Sequence, residues 1–363
     1  MKRRIKLCLI APVPPPYGGI ANWVQLITNH ITKKQNEIDL LIINIAPKIR
    51  STEGRTLWNR VVDSGFAMIK QYKELKRIIK YDRPDVIHLT TSGQLAVIRD
   101  ILFLVFARWK NIPTIYHIRF GRMQEIAVKN TIEWRLISRA MKLASEVMAI
   151  DNATYRVIQK RMPKVKMVYV PNPIDISNMP QQDISRSKTI VFLGWVIKTK
   201  GIEELLSAWE EIYKVYDEWK LCIIGPCSNE YLNYLQNKFS FDGVIYEGEK
   251  SHEDAMHLVN SSEIFILPSY TEGFPNVILE AMALSKPVIA TRVGAIPDML
   301  ADDCGLLINP QDSEDIIEAL KSLLANKDAR IQIASNANKK LQKNYTIETV
   351  FQKYKDEWVN LSK

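Results

Sequence analysis

Ile264-Phe265-Ile266-Leu267-Pro268-Ser269-Tyr270-Thr271-Glu272-Gly273-Phe274-Pro275-Asn276-Val277-Ile278-Leu279-Glu280-Ala281-Met282 is the stretch on which the reading of this 363-residue chain turns. Its first four residues form a short apolar run of the kind that fills a strand buried on both faces. Gly273, Pro275 and Asn276 then mark a turn. From Asn276 the apolar spacing predicts a helix running to Ala283. A helix N-terminus leaves several backbone N–H groups unpaired and carries partial positive charge, which suits it to a diphosphate. Glu272 stands in the loop and Glu280 inside the helix. Each offers a carboxylate to hydroxyl donors, in which ribose and hexose are rich. Two glutamates eight residues apart recur often by chance, so the weight lies on their context, a glycine-proline turn between a buried strand and an apolar helix.

The same alternation extends in both directions. Towards the N-terminus it predicts strands at Thr189–Leu193, Lys220–Ile224 and Val244–Tyr246, with helices at Gly201–Val215 and His252–Asn260. Towards the C-terminus, Val288–Thr291 reads as a strand and Ser313–Ala325 as a helix with Ser313 as its N-cap. Further upstream, Ile5–Ala11, Leu40–Ile45, Asp85–Leu89, Thr114–His117, Glu146–Ile150 and Lys166–Val170 read as strands, with helical stretches between most of them. The loop Pro14–Gly19 follows the first strand. Pro171–Lys188 is rich in Pro, Ser, Gln and Asp and reads as a linker. Strands alternating with helices make parallel sheets covered on both faces. The chain is therefore expected to be α/β with two domains, as its length also suggests. In such sheets ligands bind at the carboxyl ends of the strands.

At the Glu272 to Glu280 stretch the chain resembles family 4 of the retaining glycosyltransferases. Lys286-Pro287-Val288-Ile289-Ala290-Thr291 and the loop at Gly294 continue the match. Pro171-Asn172-Pro173-Ile174-Asp175 is similar to the family's linker, Gly194 and Lys200-Gly201 to its Gly-Arg and Lys-Gly pair, and Gly18-Gly19 to its N-terminal glycine loop. The resemblance covers nearly the whole chain, in detail in the C-terminal half and loosely in the N-terminal half. It implies the GT-B fold: two Rossmann-like domains facing an interdomain cleft, with a C-terminal helix crossing back to the first. Residues 1–172 would form the acceptor-binding domain and 187–345 the nucleotide-sugar-binding domain. Residues 346–363 would be the returning helix, with Val350, Tyr354 and Trp358 on one stripe.

The resemblance also implies roles. Glu272 would hold hydroxyls of the donor sugar and Glu280 the nucleotide ribose. The amides near Gly273, Phe274, Pro275 and Asn276 would face the sugar or diphosphate, with Asn276 and Val277 the better donors because Pro275 has no N–H. Lys200 would neutralise the diphosphate as its bond to the sugar breaks. The family places an arginine after the glycine of Gly194. Here Trp195 stands instead, and an indole cannot replace a guanidinium fork on phosphate; either Lys198, close by, stands in for it, or diphosphate binding relies on Lys200 and backbone amides alone. Gly18 and Gly19 would let the backbone approach a phosphate or acceptor. Of two strand histidines, His117 and His88, the resemblance favours His117 as the residue beside the donor sugar. The family's front-face route, in which the leaving phosphate helps deprotonate the acceptor, needs no separate nucleophile. No Asp-x-Asp motif is present, so no metal is expected, and no cofactor beyond a UDP- or GDP-linked co-substrate.

Charge is divided unevenly. Residues 1–180 hold 30 Lys+Arg against 13 Asp+Glu, a net of +17, while the whole chain carries +9. Such a half suggests an anionic partner. Without a zinc-finger or RNP signature, nucleic acid is not expected; an anionic membrane surface is. Cys8 and Cys222 lie in apolar runs and read as core. The cysteines show no zinc or CxxC spacing, which fits a reducing, cytoplasmic compartment. Met1-Lys2-Arg3-Arg4 begins like a signal peptide, but the apolar run after it is short and broken by prolines, so it reads as a first strand. Ile101–Ala107 is too short to span a bilayer and reads as core helix, or as a helix lying on a membrane. The expected activity is transfer of a hexose-type sugar to a polysaccharide, lipopolysaccharide or lipid-linked oligosaccharide at the inner face of the cell membrane. Two other readings compete: a nucleotide-sugar 2-epimerase of similar architecture, and an inactive carbohydrate-binding homologue.

Overall fold

The computed structural model describes residues 4–15, 18–33, 38–46, 57–177, 179–180 and 187–363, with side chains for all but 57–64. Pro16 and Tyr17 of the expected proline loop, and much of the expected linker, lie outside these residues. The chain divides into two compact units. Unit 1 comprises residues 1–173 together with 347–363, and unit 2 comprises 174–346.

Unit 1 begins β1 (Ile5–Ala11), α1 (Gly19–Lys33), β2 (Ile38–Asn44), α2 (Leu57–Tyr81), β3 (Val86–Thr91) and α3 (Ala96–Trp109). It continues β4 (Thr114–Ile118), α4 (Met123–Val128), α5 (Ile132–Leu143), β5 (Glu146–Ala149), α6 (Asn152–Arg161) and β6 (Met167–Tyr169). The six strands form one parallel sheet in the order β2-β1-β3-β4-β5-β6. Side chains alternate across a strand, so β1 feeds two cores. Cys8 and Ile10 join the cluster under α2, α3 and α5. Leu7, Leu9 and Ala11 join the opposite one, with Trp23, Val24 and Ile27 of α1.

Unit 2 runs β7 (Thr189–Leu193), a 3-10 turn at Lys198–Lys200, α7 (Ile202–Tyr213), β8 (Lys220–Ile224), α8 (Asn229–Lys238), β9 (Val244–Gly248) and α9 (His252–Ser261). Then come β10 (Ile264–Leu267), α10 (Asn276–Ala283), β11 (Val288–Thr291), α11 (Ile296–Met299), β12 (Leu306–Ile308), α12 (Ser313–Ala325) and α13 (Lys327–Asn344). Its sheet is also parallel, ordered β12-β11-β10-β7-β8-β9. Strand order reverses between β7 and β10, a switch point of the kind at whose carboxyl end such sheets bind ligands. The loops after these two strands carry Gly194, Lys200 and Glu272. The fully buried Lys286 spans the base of the unit: its Nζ donates to the carbonyls of Asn260 and of Ser262 (2.7 Å), satisfying the end of α9.

The last helix, α14 (Ile347–Leu361), belongs to unit 1. Val350, Tyr354 and Trp358 are fully buried on its inward stripe against β1 and α1. Ser313 is not the cap of α12. Asp312 occupies the N-cap and accepts the Asp315 N–H at 3.1 Å, which moves Ser313 into the first turn. Either residue type can cap, so the sequence alone leaves that one-position ambiguity.

Candidate active site

In unit 2 the loop after β10 is pinned to the loop after β7. Tyr270 N donates to Thr199 O at 2.9 Å, and the Tyr270 hydroxyl donates to Glu204 Oε1 at 2.6 Å. Gly201 adopts a left-handed conformation (φ +72°) beside Pro268, and a Cβ there would run into the Pro268 carbonyl. Gly294 (φ +55°) lies so close to the carbonyls of Glu272 and Gly273 that no side chain fits. These two glycines therefore set where Lys200 and Glu272 stand. The Lys200 ammonium meets Glu272 Oε1 at 2.5 Å, and the Ser269 hydroxyl donates to the same oxygen at 2.7 Å. Ser269 is itself held by Thr291, whose hydroxyl donates to its carbonyl at 2.6 Å. Both contacts fall on Oε1, which leaves Oε2 to accept from a ligand hydroxyl.

The N-cap of α10 is Pro275, and no side chain caps the helix. A helix start of this kind suits an anion; in its first turn the Ile278 N–H, next to Val277, already donates to the Pro275 carbonyl at 3.1 Å. Phe274 is buried and packs edge-on against Tyr345, with centroids 6.1 Å apart. Its ring is thus structural, and only backbone at this position can meet a ligand. Glu280 accepts from His252 Nε2 at 3.0 Å, and this carboxylate contact raises the imidazole pKa against the opposing effect of burial. Neither His252 nor Ser269 is legible from spacing, since each meets its glutamate only through the fold. Lys198 is exposed and pairs with Glu203 at 3.8 Å. Trp195 is also exposed.

Gly18, Gly19 and His117 belong to unit 1. The Gly18 carbonyl accepts the Asn22 N–H at 2.9 Å and starts α1. A Cβ at Gly19 would meet nothing within 4 Å. His117 on β4 is fully buried beside His88 on β3. The two rings form a directed chain with α14. Indole N–H is only a donor, and Trp358 Nε1 donates to His88 Nδ1 at 3.0 Å. The neutral His88 must then carry its proton on Nε2, which faces His117 Nδ1 at 3.0 Å. His117 accepts there through Nδ1.

Both histidine pKa values are lowered, chiefly by burial and then by the Arg119 charge, that of His88 to about 3. Arg119 lies 3.4 Å from His117 Nε2, donates to Asn172 Oδ1 at 2.7 Å and lies 4.3 Å over the Trp23 ring. The linker residue Asn172 is thereby buried as a partner of a cation. His117 is thus held neutral between His88 and the Arg119 guanidinium.

The comparisons agree with this architecture. The profile of the Glycosyl transferases group 1 matches residues 176–340, and that of Glycosyltransferase Family 4 matches residues 17–178. An uncharacterized glycosyltransferase of Haemophilus influenzae is 25% identical over 60% of this chain and 62% of its own length. The capsular polysaccharide biosynthesis glycosyltransferase CapM of Staphylococcus aureus is 25% identical over 66% of this chain and 68% of its own. Sucrose-phosphate synthase from Thermosynechococcus elongatus superposes with a TM-score of 0.77 at 17% identity, over 99% of each chain. Anabaena HepE, solved in complex with UDP, superposes at 0.72 with 16% identity, over 98% of this chain and 100% of its own. With two parallel six-stranded sheets and the two profiles together spanning residues 17–340, the chain belongs to glycosyltransferase family 4, the glycosyl transferases of group 1, and has their GT-B fold.

Proposed function

We propose that this glycosyltransferase takes a hexose-type sugar from a UDP- or GDP-linked donor, with retention and without a metal, and adds it to a polysaccharide, lipopolysaccharide or lipid-linked oligosaccharide. The observation that carries the reading is the meeting of Lys200, Glu272 and the uncapped start of α10 at the reversal of strand order. The bound UDP of HepE and the capsular role of CapM support the donor and acceptor classes. When the diphosphate arrives, Lys200 exchanges its contact with Glu272 for phosphate oxygens. The carboxylate so released accepts from hydroxyls of the sugar. Glu280, oriented by His252, accepts from the ribose. As the glycosidic bond breaks, negative charge grows on the leaving phosphate, and Lys200 with the α10 amides stabilises it in place. That phosphate takes the acceptor's proton on the same face. The protein is peripheral, held to the inner membrane face by the basic unit 1.

The test is donor turnover by the purified protein. Thermal shift against UDP-, GDP- and ADP-sugars identifies the nucleotide, since ligand at about 100 times Kd stabilises by roughly 2.7 kcal/mol. Lys200→Met and Glu272→Gln should each lower kcat by about 10²-fold or more, measured on the fraction that calorimetry shows to be folded. Full activity in both variants would overturn the assignment.

A further inference from the structure

The outer face of α3 carries side chains that the core does not use. Leu95, Ile98, Leu102, Val105 and Trp109 recur every three or four residues, which puts them on one face. They are exposed by 78, 47, 45, 49 and 70% respectively. The inner face, with Val97, Phe103, Leu104 and Ala107, is buried. The 14-residue helix is thus apolar on two faces, its charged residues being the paired Arg99 and buried Asp100 near its start and Arg108 near its end. At ~21 Å it is shorter than a bilayer core of ~30 Å. Among the described residues no helix is long and apolar enough to cross a membrane. An uncovered apolar ridge of this length marks an interaction site.

Its neighbours say what covers it. Gln94 N donates to Glu133 Oε1 at 2.7 Å where α3 and α5 begin, and Arg108 Nη1 donates to the Lys142 carbonyl at 3.3 Å where they end. The two helices therefore lie side by side in the same direction, and α5 lines the ridge with exposed Arg135, Arg139 and Lys142. On the other flank, Tyr72 of α2 packs on Phe103 and Phe106, and α2 presents exposed Lys70, Lys73 and Lys80. At the ridge's end, Lys110 Nζ sits 3.9 Å over the Trp109 ring. An apolar strip between two basic rows, with a tryptophan at one end, matches the layering of a membrane surface, where acyl chains lie beneath anionic phosphates.

We infer that the outer face of α3 is the surface by which this protein docks on an anionic lipid bilayer. Leu102, Val105 and Trp109 enter the boundary between headgroups and acyl chains. The basic rows of α5 and α2 meet the lipid phosphates on either side. A second copy of the chain is a poorer occupant, because a two-fold pairing through this ridge would bring like-charged rows together. The inference rests on the peripheral attachment proposed above and assigns that attachment to one helix.

The test uses the full chain and vesicles of phosphatidylcholine, alone or with about a third phosphatidylglycerol. Wild type should sediment with the anionic vesicles and not with the neutral ones. Leu102→Gln/Trp109→Gln should weaken that partition by at least about tenfold. Arg135→Gln/Arg139→Gln should weaken it by about thirtyfold at low salt. These positions are exposed and outside the active site, so thermal stability and turnover of a soluble acceptor should stay at the wild-type level in both variants. If wild type and both variants bind anionic vesicles equally, the α3 assignment is wrong while membrane attachment stands. If wild type binds no vesicle, membrane attachment itself falls. A wild-type dimer that Leu102→Gln/Trp109→Gln makes monomeric would instead assign the ridge to a second copy and overturn the proposal.

Discussion

Acid should destabilise unit 1 through His88, and the size of the effect follows from its surroundings. Burial holds the His88 pKa at about 3, against roughly 6.5 for an unfolded histidine. A base whose pKa is depressed by folding contributes its full stability above 6.5 and loses it as pH falls towards 3. At pH 5 the unfolded ring is protonated while the folded one is not. The difference, 1.36 kcal/mol for each pH unit below 6.5, is about 2 kcal/mol. His117 acts with the same sign. The other groups facing the pair do not titrate in this range: Arg119 remains cationic with its pKa lowered to about 10, and the Tyr354 phenol is raised to about 12, both chiefly by burial. The assay is urea unfolding at pH 8 and pH 5, followed by tryptophan fluorescence, since Trp23 and Trp358 both touch the rings. His88→Asn retains an acceptor for Trp358 and a donor for His117 but cannot titrate there. Its loss of stability between the two pH values should be smaller than that of wild type by about 2 kcal/mol. Equal losses in the two proteins, or a His88 ring that titrates above pH 5 by NMR, would refute the reasoning.

Three further outcomes follow from unit 2. Gly294→Ala should destabilise by about 2 kcal/mol or more, through a positive φ and a clash with the Glu272 and Gly273 carbonyls; donor turnover should fall with it because Glu272 is displaced. Lys286→Met should cost about 2 kcal/mol by leaving the carbonyls of Asn260 and Ser262 unpaired in the core, a fall in Tm of about 4–8 °C by calorimetry. The His252 pKa, raised by its contact with Glu280, should drop in Glu280→Gln when followed by NMR titration. Because that pKa is raised, the pair's contribution is complete below about 6.5 and fades as pH climbs through the folded value; stability of Glu280→Gln relative to wild type should change in that window and in that direction.

What the sequence discloses is what lies close along the chain. The run from Ile264 to Ala283 is strand, turn and helix in register with the structure, because a continuous apolar run and a proline-bounded turn are local signals. The stripe of Val350, Tyr354 and Trp358 is equally legible from its period. Contacts across the fold are not. Trp358 meets His88 at a separation of 270 residues, and His252 meets Glu280 at 28, and neither distance leaves a pattern. The polar helix α8 and the three-residue β12 carry too few apolar positions to announce themselves. His88 appears from sequence to end a strand that in fact continues to Thr91, so the ring lies inside the sheet and becomes the middle of a hydrogen-bonded chain. On α3 the difficulty is opposite: the unbroken apolar run Ile101–Ala107 fits a core helix and a membrane-lying one alike, and only the packing separates the buried face from the bare one.

The return of α14 to unit 1 has a consequence for biosynthesis. A ribosome delivers all six strands of the first sheet early, yet the indole that fixes His88 arrives among the final residues of the sequence. Every part of unit 2 is translated before that helix emerges, so the second unit can close while the first still exposes the apolar seat that Phe351 and Trp358 will occupy. Nascent chains stalled short of Ile347 would therefore carry a finished second unit and an open first one, the form most prone to be held by chaperones.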